Sequence, residues 1–292
     1  MRRIEFTKIA EAVESLCIKA AYELPADVLS ALQRAVKNES NPRAARILQQ
    51  LIENARLAVT ERIPLCQDTG LAVVFVEQGC DTVIDCPAGK TAVDAVDAGV
   101  AAGYEKGLLR KSVVAEPLTG PEQSRGKERK NTGTNTPAVI HWSIAPGDKL
   151  KISFMAKGGG CENKSAFRMF RPTAAVDEIT NWVVDVVKNA GADACPPFVV
   201  GVGIGGNFES SCLLSKKSLL RSIDEPNADS FYAGLEADLL SRINQLGLGP
   251  QGLGGDTTAL AVLIETAPCH IASLPVAVNI ECHSHRHTEI II

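Results

Sequence analysis

The chain has 292 residues and a formal net charge of −4, with 45% hydrophobic and 22% charged residues. This length and balance predict a water-soluble globular protein with a sizeable core. A net negative charge argues against a dedicated nucleic-acid binder. No stretch approaches the roughly 18 uninterrupted apolar residues of a membrane span, and no apolar run follows the basic N-terminus as in a signal peptide. We therefore expect a cytoplasmic protein that binds neither nucleic acid nor membrane.

Three helices are predicted in the N-terminal part of the chain, at about residues 1–60. Apolar residues recur at three- and four-residue steps from Ile4 to Leu24, which is the spacing of an amphipathic helix. Pro25 and Pro42 are each placed for the first turn of a further helix. The N-terminal part is therefore expected to be helical.

Strands and helices alternate after this helical part. Apolar and β-branched runs predict strands over Leu71–Val76, Val139–Trp142, Leu150–Met155, Phe198–Val202, Thr258–Ile264 and Val276–Ile280. Helical spacing predicts helices over Lys90–Leu109, Thr173–Ala190, the segment from Gly206 to about Leu220, and Asp229–Leu246. The charged run Arg125–Lys130 is expected to be a solvated loop. We predict a mixed α/β fold, with one domain over residues 1–292.

Three glycine-rich turns could bring the backbone close to a ligand, at Gly158–Gly160, Gly201–Gly206 and Gly249–Gly255. The second matches the Gly-x-Gly-x-x-Gly pattern of dinucleotide-binding proteins. The helix after it is followed by Asp224-Glu225-Pro226-Asn227 and another helix, so no βαβ unit is completed. We favour small anionic groups, such as substrate carboxylates, over a dinucleotide at these turns.

The nine cysteines are expected to be thiols, core residues or metal ligands, because an odd number in a chain without a signal peptide does not suggest a disulfide framework. Cys66, Cys195 and Cys282 each lie at an element boundary beside turn-forming residues. Three thiolates without a fourth would suit an iron–sulfur cluster with one iron open to substrate. Their spacing does not select these three from the nine, so structural roles remain open.

The segment Pro64-Leu65-Cys66-Gln67-Asp68-Thr69-Gly70 places a thiol, an amide and a carboxylate in consecutive positions. A thiolate can bind a metal, and a neighbouring carboxylate can transfer a proton. The alternative is a turn that carries a buried cysteine, with Asp68 as the N-cap of a short element.

The tail Cys282-His283-Ser284-His285-Arg286-His287 is rich in histidine. On a strand, the three histidines would share one face and could bind zinc. We favour a polar, partly exposed C-terminal strand or tail, because no second ligand cluster with zinc spacing is present.

Several segments spread over most of the chain carry a family resemblance when they are taken together. In order, they are Pro64–Gly70, Asn131-Thr132-Gly133-Thr134-Asn135, Ala156-Lys157-Gly158-Gly159-Gly160, Asn163-Lys164, Ala194-Cys195-Pro196-Pro197, Leu246-Gly247-Leu248-Gly249 and Pro268–Cys282. The chain resembles the α subunit, or N-terminal catalytic half, of the class I (iron–sulfur) fumarase and tartrate dehydratase family.

The resemblance implies a [4Fe–4S] cluster held by Cys66, Cys195 and Cys282, with Cys161 near the site but not a ligand. Five further positions match active-site residues of the family. The positions that match catalytic residues are Asp68, His270 and Gln67. The positions that match substrate-binding residues are Arg110, Gly160, Gln67 and Asp68.

The activity that the resemblance implies is the reversible hydration of fumarate to L-malate, by a hydro-lyase whose substrate is a small dicarboxylate. Single-chain members of the family carry a second domain that this chain lacks, so we expect a separate β subunit and an α2β2-type assembly. Dehydration of L(+)-tartrate to oxaloacetate is the alternative within the family. A structural metal-binding module is the non-enzyme alternative.

Overall fold

The computed structural model describes residues 1–118 and 129–292; most of the loop expected at Arg125–Lys130 lies outside them. The α-helices are α1 (Phe6–Tyr22), α2 (Ala26–Asn38), α3 (Pro42–Glu61), α4 (Ala92–Lys106), α5 (Gly159–Glu162), α6 (Val176–Ala190), α7 (Phe208–Ser218) and α8 (Ser230–Asn244). The strands are β1 (Arg2–Glu5), β2 (Leu71–Gly79), β3 (Thr82–Asp85), β4 (Val139–Ala145), β5 (Leu150–Lys157), β6 (Ala166–Phe170), β7 (Phe198–Gly205), β8 (Ala259–Ala267), β9 (Leu274–Glu281) and β10 (His287–Ile291). The predicted mixed α/β class is confirmed.

The chain divides into two compact units, each built from separate stretches of sequence. The first unit comprises residues 1–24, 57–157 and 286–292, and the second comprises residues 25–56 and 158–285. Each unit has its own cluster of buried apolar side chains. The expectation of one domain over residues 1–292 did not distinguish these units.

The first unit is organised around a four-stranded sheet in the order β10-β5-β2-β4. β2 pairs antiparallel with β5 and parallel with β4, and β10 pairs antiparallel with β5. The inward side chains of β2 and β5 pack against α1 and α4, whose apolar faces come from residues such as Val13, Leu16 and Val100. A separate parallel pair joins β1 to β3.

The second unit contains the sheet β6-β9-β7-β8. β7 pairs parallel with β8 and antiparallel with β9, which also pairs antiparallel with β6. Apolar residues of α6 and α8, including Val183, Val187 and Leu239, are buried in the same cluster as the strands. β9 therefore lies inside the sheet with a partner on each side.

The glycine pattern at Gly201–Gly206 lies largely within β7 and packs a helix against it. A Cβ on Gly201 would lie 2.1 Å from the Ser215 carbonyl oxygen, and one on Gly203 would lie 2.1 Å from that of Ser211. Both carbonyls belong to α7. The two glycines therefore allow a close approach between strand and helix.

Most predicted elements are present, and several short ones were missed. β1, β3, β6 and β10 have four or five residues each, and α5 has four. β4 and β5 follow one another in sequence, but β2 lies between them in the sheet. Across the residues described, no helix combines the length and the apolar character needed to cross a bilayer.

Candidate functional site

Two thiols and a carboxylate come together in the second unit. One ligand atom each from Cys161, Glu281 and Cys282 lies within 4.8 Å of the others, and all three residues are buried. The Cys282 sulfur lies 3.9 Å from Oε1 of Glu281. Thiolates suit zinc and iron–sulfur centres, and a carboxylate adds a harder oxygen ligand. The arrangement could hold a metal.

Local folding brings these three residues together from two segments. Cys161 lies on α5, the single helical turn formed after β5, where Glu162 N donates to Gly158 O at 3.0 Å. The Cys161 thiol is 3.5 Å from the Ala194 carbonyl oxygen. Glu281 ends β9 and pairs with Val199 of β7, and Cys282 follows directly. The donors therefore lie where β9 ends in the sheet.

Cys195 lies next to this group through its backbone. Its backbone lies in the left-handed region, with φ of 55° and ψ of 65°. Cys195 is exposed. Its carbonyl oxygen accepts from His283 N at 3.4 Å and lies 3.1 Å from Nδ1 of the same histidine. Gln251 Nε2 lies 3.1 Å from that Nδ1. The structure thus brings the Cys195 and Cys282 segments together, although the Cys195 sulfur is not in the three-atom group.

These donors fit an iron–sulfur group in the chemistry that they offer. The described cysteines are all free thiols, so each can supply a thiolate. Cys161 and Cys282 are buried beside one another, and the Cys195 backbone is hydrogen-bonded to the residue after Cys282. Several thiols within one part of a fold are what a cluster requires.

The segment Cys66–Gly70 lies in the first unit and is held by its backbone. Thr69 donates from Oγ1 to the Arg110 carbonyl oxygen at 2.6 Å. The Tyr104 hydroxyl lies 2.9 Å and 3.0 Å from the carbonyl oxygens of Thr69 and Gly70, to which it donates. Gly70 has a φ of +76°, and a Cβ there would lie 2.6 Å from the Lys157 carbonyl oxygen. Only glycine fits this position without displacing β5.

Within this segment the predicted site residues differ in exposure. Gln67 is exposed, whereas Cys66 and Asp68 are half-buried. Asp68 Oδ1 accepts a hydrogen bond from Gly70 N at 3.1 Å, which forms a local turn. The other carboxylate oxygen takes no part in this hydrogen bond. The carboxylate is thereby oriented by its own backbone.

Asn135 joins this segment to the one that carries Arg110. It is fully buried with a φ of 58°. Its Oδ1 accepts from Ser112 N at 2.6 Å, and its Nδ2 donates to Gly70 O at 3.2 Å. Together with the bond from Thr69, it fixes two predicted substrate-binding segments relative to one another inside the first unit.

Gly160 and His270 lie in the second unit, in different places. Gly160 belongs to α5 and directly precedes Cys161. His270 is exposed on the connection between β8 and β9, where its Nδ1 accepts from Ala272 N at 3.1 Å. Cys282 lies beyond the opposite end of β9, about 25 Å away at the usual rise per strand residue. Within this unit, His270 is therefore not brought to the thiols.

The sequence reasoning did not identify Glu281 as a donor, and it placed Cys161 outside the ligand set. One signal was available for Glu281. A carboxylate at the end of the apolar run Leu274–Ile280 is unexpected unless it has a partner, and Glu281 is 0% exposed. The same signal does not exist for Cys161, because cysteine is commonly buried without a ligand role.

The expectation of a partly exposed polar tail is wrong for the residues between Cys282 and β10. Ser284, His285 and Arg286 are all at most 1% exposed. The strand begins only at His287, so the three histidines do not lie along one strand face. Among the residues described, the group of three possible metal donors contains none of them.

This mixed α/β chain brings two buried thiols and a buried carboxylate within ligand distance of one another, a donor set that could hold a metal. The sequence model of the family described as fumarate hydratase (Fumerase) matches residues 10–291. The chain belongs to this family. The predicted hydro-lyase class and the predicted family are confirmed.

The chain is also similar to curated proteins over nearly its whole length. It is 41% identical over 280 residues to a protein named putative L(+)-tartrate dehydratase subunit alpha from Methanocaldococcus jannaschii, covering 96% of this chain and 95% of the relative. It is 30% identical over 293 residues to L(+)-tartrate dehydratase subunit alpha from Escherichia coli K12, covering 98% and 91%. The corresponding protein of Escherichia coli UTI89 is 31% identical over 287 residues, covering 96% and 89%.

Proposed function

We propose that this chain is the α subunit of an iron–sulfur hydro-lyase that reversibly hydrates fumarate to L-malate. The observation that carries the proposal is the buried proximity of Cys161, Glu281 and Cys282 in a chain matched by the fumarate hydratase family over residues 10–291. The names of the relatives contain the term subunit alpha, which supports a β-subunit partner for this chain. An α2β2-type assembly is part of the proposal.

The proposed cofactor is a [4Fe–4S] cluster held by Cys66, Cys195 and Cys282. When bound, such a cluster supplies a Lewis acid that polarises the substrate hydroxyl and carboxylate. The hydrogen bond between His283 N and the Cys195 carbonyl supports the pairing of two of these ligands. The position of Cys161 beside Cys282 makes it the first alternative ligand to test.

The protein residues in the first unit would bind the substrate and transfer its proton. The Arg110 side chain is exposed and could bind a carboxylate as a charge-assisted pair. The Asp68 carboxylate, oriented by Gly70 N, would accept the proton from the carbon next to the departing hydroxyl. Gln67 would hydrogen-bond the second carboxylate. Gly160, in the second unit, is a further proposed substrate-binding residue. His270 remains a predicted catalytic residue. Within the second unit it lies far from Cys161 and Cys282.

The cluster assignment can be tested by anaerobic reconstitution of the chain with its β subunit. About four iron and four sulfide per chain are expected for a [4Fe–4S] enzyme. Cys195→Ser should lose both the cluster and the activity, whereas the control Cys80→Ser, an exposed cysteine in the other unit, should retain them. Full activity in Cys195→Ser would overturn the assignment. Zinc without iron would indicate the structural metal-binding module instead.

The dehydration of L(+)-tartrate to oxaloacetate is a second candidate function. The specific observation in its favour is the naming of the relatives at 30–41% identity, which are called L(+)-tartrate dehydratase subunit alpha or, for the Methanocaldococcus jannaschii protein, putative L(+)-tartrate dehydratase subunit alpha. The hydroxy acids that lose water in the two reactions, L-malate and L(+)-tartrate, differ by one hydroxyl group and share both carboxylates. Steady-state kinetics of the assembled complex with fumarate, mesaconate and L(+)-tartrate should separate the candidates. A higher kcat/KM for tartrate than for fumarate would replace the main proposal.

A further inference from the structure

Lys216 joins two elements of the second unit through an ion pair with Glu162. Its Nζ lies 2.5 Å from Oε1 of Glu162, and the two side chains are 15% and 33% exposed. A lysine is seldom buried this far unless its charge is paired. The next residue, Lys217, is exposed on the same helix, α7. The ion pair therefore connects α7 to α5, the four-residue helix that ends at Glu162.

Lys216 extends from a part of α7 whose position is fixed by its close approach to β7. The preceding residue, Ser215, has its carbonyl oxygen 2.1 Å from where a Cβ on Gly201 would lie. Gly203 permits the same close approach about one turn earlier in the helix. A helix whose backbone lies this close to a strand has little freedom to shift. Lys216 therefore holds Glu162 from a rigid base.

The second carboxylate oxygen of Glu162 is bonded to β9. Asn279 Nδ2 donates to Oε2 of Glu162 at 3.4 Å. Because side chains alternate along a strand, Asn279 shares one face of β9 with Glu281, the buried carboxylate of the candidate metal group. The Glu162 carboxylate thus connects α5 to α7 through one oxygen and to β9 through the other.

The helix α5 depends on contacts of this kind, because a single helical turn is not stable by itself. It closes with the hydrogen bond from Glu162 N to Gly158 O at 3.0 Å. Cys161 lies directly before Glu162, and its sulfur belongs to the group of ligand atoms within 4.8 Å of one another. Gly160, a proposed substrate-binding residue, is part of the same turn. A shift of Glu162 would therefore move both residues.

A second ion pair attaches the segment that follows α5, and it is more exposed. Lys164 pairs with Asp193 at 2.9 Å, with side chains 29% and 79% exposed. Solvent screens such a pair, so it contributes little to holding the backbone. The pair of Lys216 and Glu162 is less exposed on both sides and adds a charge-assisted hydrogen bond. It is therefore the stronger of the two attachments.

We propose that Lys216 is a positioning residue for the candidate metal group. Through Glu162 it holds α5 in place. This keeps the Cys161 sulfur within ligand distance of Glu281 and Cys282. The inference deepens the proposed function and rests on it for its catalytic consequence. For metal binding, it means that the donors are preorganised, so loosening α5 weakens binding without unfolding the chain.

The test measures Co²⁺ binding by the full chain without its cluster, because cobalt bound by thiolates absorbs visible light. Lys216→Met removes the charge and keeps an unbranched side chain, whereas Lys216→Arg keeps the charge. Lys217→Met is the matched control, since it makes the same substitution at the next, exposed position of α7. Cys161→Ser identifies the absorption that comes from the candidate metal group. Dissociation constants are measured at a temperature at which circular dichroism shows every variant folded.

We expect Lys216→Met to weaken Co²⁺ binding by about tenfold, the lower end of what residues supporting a metal ligand contribute. Lys216→Arg should restore most of the affinity, and Lys217→Met should bind as the wild type does. The dissociation constant is that of the folded chain, so a general loss of stability would not imitate this result.

Glu162→Gln tests whether Lys216 acts through this carboxylate. The variant should weaken Co²⁺ binding by a similar factor. Adding Lys216→Met to it should have little further effect, because both changes remove the same ion pair. Fully additive losses would show that Lys216 acts independently of Glu162 and would overturn the proposal. Glu162→Gln also decides the question if Lys216→Met does not fold.

Three other results would overturn the proposal. The first is unchanged Co²⁺ binding in Lys216→Met, or in Glu162→Gln if only that variant folds. The second is an equal loss in Lys216→Met and Lys217→Met. The third is a wild-type chain whose Co²⁺ absorption matches that of Cys161→Ser, since Lys216 would then have no metal group to position. Failure of both Lys216→Met and Glu162→Gln to fold would assign the ion pair a structural role instead.

The outcomes for Lys216 and for the proposed function are separable. A wild-type complex with the β subunit that contains its cluster but converts no dicarboxylate would reject the proposed function. The Co²⁺ comparison would still decide the role of Lys216, because it requires neither cluster nor turnover. Conversely, normal Co²⁺ binding by Lys216→Met, with a normal KM for fumarate in its reconstituted complex, would reject only the assignment of Lys216.

Discussion

Asn135 offers a test of how the first unit holds its two predicted substrate-binding segments together. Replacing it with alanine removes the acceptor for Ser112 N and one donor to Gly70 O. The Gly70 carbonyl still accepts from the Tyr104 hydroxyl at 3.0 Å, so it remains satisfied. The amide of Ser112 loses its side-chain partner, and this is the main expected loss.

The magnitude follows from two terms. A buried donor left without a partner costs about 1–3 kcal/mol. The φ of 58° at Asn135 adds about 1–2 kcal/mol for alanine, because a Cβ crowds the carbonyl in the left-handed region that asparagine tolerates better. Asn135→Ala should therefore lose about 2–5 kcal/mol of unfolding free energy. Asn135→Gly loses the same hydrogen bonds without the strain, so it should lose about 1 kcal/mol less than alanine.

Urea unfolding of the purified chain measures these differences through the midpoint and slope of the transition. Hydrogen exchange at the Ser112 amide provides a local readout, and it should accelerate in both variants. Asn38→Ala, at an exposed position near the end of α2, is the control and should change the unfolding free energy by less than about 0.5 kcal/mol. A wild-type midpoint for Asn135→Ala, or identical midpoints for Ala and Gly, would refute the reasoning.

Two further predictions concern packing and a buried thiol. Gly203→Ala should destabilise the chain by about 3 kcal/mol or more, because its Cβ would lie 2.1 Å from the Ser211 carbonyl; Gly234→Ala, with open space in α8, should stabilise it by about 0.5–1 kcal/mol in the same urea assay. Similar losses for both would contradict the close strand–helix approach. Burial raises the pKa of the Cys17 thiol, so stability should fall as pH rises above about 8.5, the pKa of an unfolded thiol, and Cys17→Ala should show a flatter dependence. Alkylation at pH 8 should modify the exposed Cys80 well before Cys17, and equal rates would refute the burial argument.

The longer helices and the central strands could be predicted because one face of each is apolar with a regular period. α1 has Ile9, Val13, Leu16 and Cys17 buried on one side, as the spacing indicates. β10 could not be predicted in the same way. None of its residues is fully buried, and its position depends on pairing with β5. That pairing is a long-range contact that local pattern does not contain.

The parts of the candidate site whose residues are close in sequence could be predicted. The parts whose residues come together only through folding could not. Cys66 and Asp68 are two positions apart in sequence, and Glu281 and Cys282 are adjacent. The proximity of Cys161 to Cys282 arises because α5 forms directly after β5 and contacts the end of β9. Likewise, Gly201 and Gly203 fit a phosphate-binding pattern, but the close approach that they permit is to α7. Glycine spacing indicates close contact without identifying the partner.

The pairing of β10 with β5 has a consequence for biosynthesis. β5 spans Leu150–Lys157, but its neighbour on one side is His287–Ile291, and Leu150 and Ile292 exchange backbone hydrogen bonds of 2.8 Å and 2.9 Å. At about 5–20 residues per second, β10 leaves the ribosome on the order of ten seconds after β5. Until β10 is synthesised, β5 is an edge strand whose unpaired backbone groups a chaperone could shield. The sheet gains β10 only after the second unit has been synthesised, and β10 then replaces β5 as an edge strand.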